Sequence, residues 1–446
     1  MGGHPNFPPL EEIISNGMSY RYSRTITDEE REKERTELLA RGNHKSAQDE
    51  PEQIARLLQK EVLHGFALPI PVSVVEKIKG SSIQPLGLAK QWGLQSDGSR
   101  KVKYRMTQDL TYCLTMTLAG LPVSINSRID MDLYSEMIFG WCLLRIIHFV
   151  VALRLRHPDK QIFLAKYDFS DAYRRVAHSA SAVIQSIIIF AGIAFLALRL
   201  TFGGAPNPPT WCCFSEMVAD LSNEIPLCRD WDPEVTFNPE QPNTPSPKEE
   251  PGHEPLAQAQ PLAVNIPTDI TARSDCFIDD LIRAFLDTPE NRKREPHAVP
   301  LAIHITTRPH AGSAEPVPRR SLVQAEKMIA EGTSAEFQIV LGWLLNTHFL
   351  LIQLPGDKFV AWTIDMANTR NRRRLLWRPR VPHRQAEPCG ICHPDGSPLP
   401  EPASSSYRAP APQAPATHTE SRRARGSPAL APSLVPFTPR DLLTPP

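Results

Sequence analysis

The chain has 446 residues, 41% of them hydrophobic and only 7% aromatic, and 45 are proline, about twice the usual share of roughly 5%. Its 49 Lys and Arg balance 49 Asp and Glu, which excludes a uniformly basic nucleic-acid coat and makes any basic surface local. Eight scattered cysteines in a chain of this length exclude a small disulfide-stapled secreted scaffold and point to a reducing compartment.

Met1–Pro9 holds no apolar run of the signal-peptide kind, and Asn6 stands where a myristoylation signal takes Ser or Thr. The expectation is an intracellular chain, cytoplasmic or nuclear, that is neither secreted nor lipid-anchored. Thr27 to Ala40 reads as a charged helix, with Thr27 and Glu30 as a capping box and Gly42 as the stop. It has almost no apolar stripe before Leu38, so residues 1–50 are expected to be weakly ordered. Glu52 to Leu63 predicts an amphipathic helix with Ile54, Leu57, Leu58 and Val62 on one face. Gly65-Phe66 and the Pro69/Pro71 pair then turn the chain into extended structure. From Leu86 to Tyr112 short strand-like pieces alternate with turns, and Arg100, Lys101, Lys103 and Arg105 form a basic stretch. Met131 to Leu155 is apolar and helical in pattern. Strand-like segments flank Tyr167–Phe169, Ile187–Leu200 and Cys276–Ile278.

Two regions break this pattern. Pro226 to Pro267 holds ten prolines in 42 residues with seven acids against two bases, and reads as a disordered insertion. Pro379 to Pro446 holds sixteen prolines in 68 residues and cannot bury enough surface to fold alone. The uncharged run Ala182–Leu198 is at the lower length limit for a membrane span. Its Ile187-Ile188-Ile189 cluster, followed at once by Arg199, favours a pair of core strands, and no membrane association is expected.

Two acidic segments carry the chemistry. In KYDFSDAYRRV (Lys166–Val176), Asp168 follows the apolar lead-in Ile162–Ala165. In DCFIDDLI (Asp275–Ile282), Asp279 and Asp280 are adjacent after a short apolar strand. Adjacent acids at a hairpin tip repel unless a cation sits between them, and a third acid ending a neighbouring strand completes an oxygen cage for two Mg²⁺ ions. Alone, an Asp-Asp pair is more often an ordinary surface pair at a strand end.

The ordered set is more specific. Asp168 in KYDFSDAYRRV, LTFGGAPNPPTW (Leu200–Trp211), FIDDLI (Phe277–Ile282) and VLGW (Val340–Trp343) follow one another as in the palm of a reverse transcriptase. The sequence resembles the retroelement reverse transcriptases (RNA-directed DNA polymerases) over Leu57 to Met366. The resemblance implies an α+β fold, a right-hand polymerase with an antiparallel palm sheet packed on helices. It implies a fingers-like region at 51–160, a palm split into 161–225 and 272–370 around the insertion at 226–271, and a basic then Pro/Ala-rich disordered tail at 371–446.

Carried over position by position, Asp168, Asp279 and Asp280 match the catalytic, metal-binding aspartates, with Phe277 where Tyr is most frequent. Tyr173 matches the aromatic that excludes a 2′-hydroxyl. Phe202 and Gly203, with Pro208 after them, match the segment beside nucleotide and template, with Thr201 in place of the usual proline. Arg105, four residues before Asp109, matches the fingers arginine that grips the triphosphate, with Lys103 assisting. Leu341, Gly342 and Trp343 match the primer-holding hairpin, and Lys327 the basic motif before it. The implied activity is two-metal-ion nucleotidyl transfer from a deoxynucleoside triphosphate to a primer 3′-hydroxyl on an RNA or DNA template, with Mg²⁺, or Mn²⁺ in its place.

Each position has a plainer competitor. Tyr173 also fits a half-buried strand aromatic, Gly203-Gly204 an ordinary turn, and Arg105 with Lys103 a solvated face. Cys389-Gly390-Ile391-Cys392-His393 has the form of a haem-attachment motif but lies in the proline-rich tail. Arg370, Arg372, Arg373, Arg374, Arg378, Arg380 and Arg384 read equally as a phosphate-binding run or a solvated linker. The alternative to an active enzyme is a decayed retroelement relic, or a nucleic-acid-binding protein on a polymerase fold. The insertion before the aspartate hairpin and the lack of a ribonuclease H or integrase set after Met366 favour it.

Overall fold

A computed structural model describes residues 4–94, 99–228, 231–233, 269–307, 321–324 and 334–375. The fold is α+β, with small antiparallel sheets packed on helices. The chain divides into two compact units after Lys358. Most of the 226–271 insertion, Lys327, the Cys-x-x-Cys-His motif and the arginines from Arg378 onward lie outside the described residues.

Residues 4–50 are held, contrary to the expectation of weak order. Helix α1 (Phe7–Asn16) buries Leu10, and Met18 and Tyr20 follow it into the core. Helix α2 (Asp28–Arg41) has the Thr27/Glu30 capping box and ends at Gly42. It buries only Leu38, so polar contacts hold it instead. Glu34 accepts from the backbone N–H groups of Leu114 and Thr115, and Arg35 donates to Ser81 Oγ at 3.0 Å. Charge-assisted bonds of this kind are stronger than neutral ones, which explains why a missing apolar stripe did not mean a loose helix.

A short turn of helix α3 (Lys45–Gln48) leads to α4 (Pro51–Leu63). Its Ile54 and Leu58 pack with Leu86, Leu88, Ile188, Ile193 and Phe195. Strand β1 (Ala67–Pro71) carries Pro69 and Pro71 on the edge of a three-stranded sheet, where a missing N–H is tolerated. Helix α5 (Val72–Val75) leads to β2 (Leu86–Leu94) and β3 (Arg100–Gln108), which form one continuous nine-pair hairpin rather than short pieces. Gly87 allows this closeness, since a Cβ there would meet Thr107 Oγ1 at 2.7 Å.

Helix α6 begins only at Cys142 and runs to Arg156. Of residues 131–141, expected to be helical, Met131–Leu133 form a separate 3₁₀ turn and Phe139–Trp141 a 3₁₀ turn that leads straight into α6, while the N–H of Ile138 reaches the Glu216 side chain instead of a helical partner. Strand β4 (Ile162–Asp168) follows, then α7 (Ala180–Val183) and the hairpin β5 (Ile187–Phe190)–β6 (Ile193–Ala197). The uncharged run therefore folds as paired core strands, with β6 wholly buried. Among the described residues no helix is long and apolar enough to cross a membrane.

The main core is built by α8 (Asn207–Glu224) and α9 (Pro289–Thr307) against the sheet β4-β8-β7, with β7 at Ala272–Phe277 and β8 at Asp280–Leu286. A second apolar group joins α6 to the same sheet. Strands β9 (Phe337–Val340), β10 (Trp343–Asn346) and β11 (Leu351–Gln353) make a further sheet, tied to β4 through Leu164 and Ala335. Helix α10 (Gly356–Leu375) closes the described chain. In the second unit its Phe359, Val360, Trp362, Ile364 and Met366 are exposed.

Candidate functional site

Strand β4 is continuously apolar from Ile162 to Ala165 and ends in Asp168. Strand β8 begins with Asp280, and antiparallel pairing places Asp168 directly opposite it, at a Cα separation of about 4.5–5.5 Å for such a pair. Phe277 and Asp280 close the β7–β8 hairpin, leaving Ile278 and Asp279 as its turn. All three carboxylates, half-buried, are thus gathered where β4, β7 and β8 end together.

The turn is unusual. Ile278 has φ +56, a left-handed conformation that costs a non-glycine residue roughly 1–2 kcal/mol. The indole N–H of Trp211 donates to the Ile278 carbonyl at 2.9 Å. Below the turn, Arg145 of α6 and Asp275 of β7 form a fully buried two-pronged ion pair, with Nη2 at 2.6 Å from Oδ1 and Nε bonded to Oδ2. One strand over, Arg283 pairs with Glu295 and donates to Ser274 Oγ at 2.6 Å. Single members of such buried pairs are costly to remove.

Tyr173 lies in a 3₁₀ turn beside this edge, after Asp171 in the left-handed region. Its ring stacks on Phe202 with centroids 5.3 Å apart. Burial pushes its phenol well above the ordinary range, and neighbouring Cys212 and Asp279 add to this. Burial likewise pushes the Cys142 thiol up, with Asp275 and then Asp280 adding to it. The Arg105 guanidinium is 5.7 Å from the Phe202 ring centre, within cation–π range. Arg105, Phe202, Tyr173 and Asp279 thus form a connected series from the β2–β3 hairpin to the aspartate turn. Lys103 and Lys101 continue on the same face of β3, both exposed, paired with Gln91 and Gly93.

Gly203 is more than an ordinary turn glycine. It has φ +123, and a Cβ would lie 1.8 Å from the Gln108 carbonyl oxygen. The Gln108 N–H in turn donates to the Phe202 carbonyl at 2.9 Å. Asn126 fastens the segment by donating to Gly203 O and accepting from Ala205 N–H. Asn207 donates to the Thr201 carbonyl at 2.6 Å, so the segment keeps its shape with Thr201 where the resemblance expects proline. Asp109 is engaged structurally, accepting from the N–H groups of Thr111 and Tyr112 and hydrogen-bonding His44 at 3.0 Å.

Leu341 (φ +48) and Gly342 (φ +84) form the two-residue turn of the β9–β10 hairpin, closed by Val340 and Trp343. Leu341 and Phe277 pack against the same apolar group, while Trp343 is 37% exposed. This hairpin is joined to β4 rather than to the aspartates themselves.

Trp211, Asn126 and the Arg145–Asp275 pair take part in this architecture but were not singled out in the sequence. Arg145 had a visible signal, a lone cation in the apolar run Cys142–Leu153, which demands a buried acid. Trp211 had none beyond its place in the glycine-containing segment.

Three carboxylates at one sheet edge are a donor set suited to a hard divalent cation. Two of them face each other in register and the third leaves the adjoining turn. Among the described residues no three His, Cys, Asp or Glu side chains already stand in a metal-holding group.

No protein-family model and no characterised relative matches the sequence. Solved structures similar to the chain include a foamy viral protease–reverse transcriptase, dRH form, in complex with double-stranded DNA (12% identity, TM-score 0.36, 78% of this chain and 39% of that one). They include the foamy viral protease–reverse transcriptase with an RNA/DNA hybrid (11%, 0.37, 78% and 30%) and with double-stranded DNA (12%, 0.36, 77% and 46%). The chain spans less than half the length of each.

Proposed function

We propose that the chain is a template-directed DNA polymerase of the reverse-transcriptase type, joining a deoxynucleoside triphosphate to a primer 3′-hydroxyl. The observation that carries this reading is the pairing of Asp168 opposite Asp280, with Asp279 in the adjoining turn. Asp168, Asp279 and Asp280 would hold Mg²⁺, or Mn²⁺ in its place. Ions held there would supply Lewis-acid chemistry, lowering the pKa of an attacking hydroxyl and offsetting charge on a departing pyrophosphate.

The remaining roles belong to side chains. Arg105 presents a planar fork of donors to the triphosphate, and Lys103 adds positive charge beside it. Phe202 and Tyr173, stacked on each other, would make an aromatic floor under the sugar that excludes a 2′-oxygen. Gly203 lets its segment lie directly against Gln108, which fixes Phe202 beside Tyr173. Leu341, Gly342 and Trp343 present a hairpin to the primer strand. A helix with A-form character offers the protein its backbone more than its base edges, which suits local basic patches on a neutral chain.

A second reading is nucleic-acid binding without catalysis, favoured by the Pro-rich acidic insertion that the sequence carries between the Gly203 segment and the aspartate hairpin. Primer extension with purified protein, on RNA and DNA templates with and without Mg²⁺, separates the two. The polymerase reading predicts Mg²⁺-dependent extension by the parent and a loss of at least about 100-fold in Asp279→Asn, with folding unchanged. A parent that binds primer–template but adds no nucleotide establishes the second reading.

A further inference from the structure

We propose that Trp211 is the positioning residue that sets the Asp279 turn against the end of the Asp168 strand; this rests on the polymerase reading above. Trp211 is wholly buried in the first turns of α8 and touches both acidic segments at once. Its indole N–H donates to the Ile278 carbonyl at 2.9 Å, one residue before Asp279. Its ring meets Phe169, the residue after Asp168, edge-on at 4.9 Å and 87°. The other side of the ring environment is filled by Phe214, parallel at 5.9 Å, and Tyr173 at 6.3 Å.

The turn has reason to need such a tie. A two-residue hairpin turn with positive φ at its first position ordinarily takes glycine there, whereas this chain has the β-branched Ile278. The backbone preference of isoleucine works against the observed turn, and a fixed hydrogen bond from a rigid, buried ring opposes that drift. Tryptophan is suited to the task because its ring packs among aromatics while its N–H still donates. Phenylalanine would keep the packing and lose the bond. The turn would then sample positions in which Asp279 no longer stays beside the Asp168–Asp280 pair.

The test uses the full chain and Mn²⁺ as probe, with free Mn²⁺ read by electron paramagnetic resonance and Mg²⁺ dependence read by primer extension. Trp211→Phe is expected to weaken Mn²⁺ binding about tenfold and to raise the Mg²⁺ needed for half-maximal extension by a like factor. Duplex affinity and the KM for nucleotide at saturating Mg²⁺ should stay within about twofold. Adding Ile278→Gly to Trp211→Phe should restore most of the Mn²⁺ affinity, because glycine holds the turn without help; a purely structural role for Trp211 predicts no such rescue. Parent-like Mn²⁺ binding by Trp211→Phe, with Asp279→Asn defective, overturns the positioning role and leaves the polymerase reading standing. A parent that binds no Mn²⁺ overturns both.

Discussion

At Gly203 a single hydrogen atom decides the geometry, because the Gln108 carbonyl occupies the place a Cβ would take. Gly203→Ala is expected to lower stability by about 2–4 kcal/mol in urea unfolding, since backbone rather than a flexible side chain must move. Tyr173 is the residue whose chemistry is most open to test. Tyr173→Ala should relax discrimination against ribonucleotides about tenfold or more in competition between dNTP and rNTP; unchanged sugar selectivity would remove it from that role. The motifs exposed Gly203 and Tyr173 in the sequence. What they touch was not legible, because Gln108 and Phe202 come from other segments, and only folding shows which partner each residue meets.

Helix α8 carries a pair of carboxyls that belong to no catalytic motif. Burial pushes Glu216 up to about 7 and Asp220 up to about 6. Glu216 accepts from Asn6 and from the Ile138 N–H, with Asp220 and Arg145 nearby. Asp220 pairs with His4 at 2.6 Å and faces Asp275 and Arg273. In the folded chain Glu216 keeps its proton to higher pH than in the unfolded chain. Its contribution is therefore complete at acid pH and is lost as pH rises through about 7. Glu216→Gln should remove this dependence, gaining up to ~3 kcal/mol relative to the parent between pH 5 and 8 in denaturant melts. A parallel pH profile for both proteins would contradict it. At this scale the α2 capping box and the α4 stripe were legible, since both are local. Helix α9 was not, because Pro296 and Pro300 lie inside it and read locally as breakers. Burial of Ala298, Val299, Leu301, Ala302 and Ile303 in the core outweighs them.

Over the whole molecule, zero net charge means that the nucleic-acid affinity proposed above must come from local faces. Lys101, Lys103 and Arg105 line one face of β3 opposite Gly93, Gln91 and Ala89, none of them charged. Replacing Lys101 and Lys103 with Ala should reduce the slope of log affinity against log salt by about 1.4–1.8 for a polynucleotide tracked by that face. An unchanged slope would place the strand elsewhere. The order of motifs along the chain allowed the α+β class and the acidic strand ends to be expected. The register that sets Asp168 against Asp280 could not be read, because long-range pairing depends on the whole sheet. The most direct measurement is single-nucleotide primer extension by the parent and by Asp168→Asn at matched duplex occupancy. The account predicts Mg²⁺-dependent addition by the parent and a loss of at least about 100-fold in the variant, with duplex affinity unchanged. Equal addition by both, or none by the parent, would contradict it.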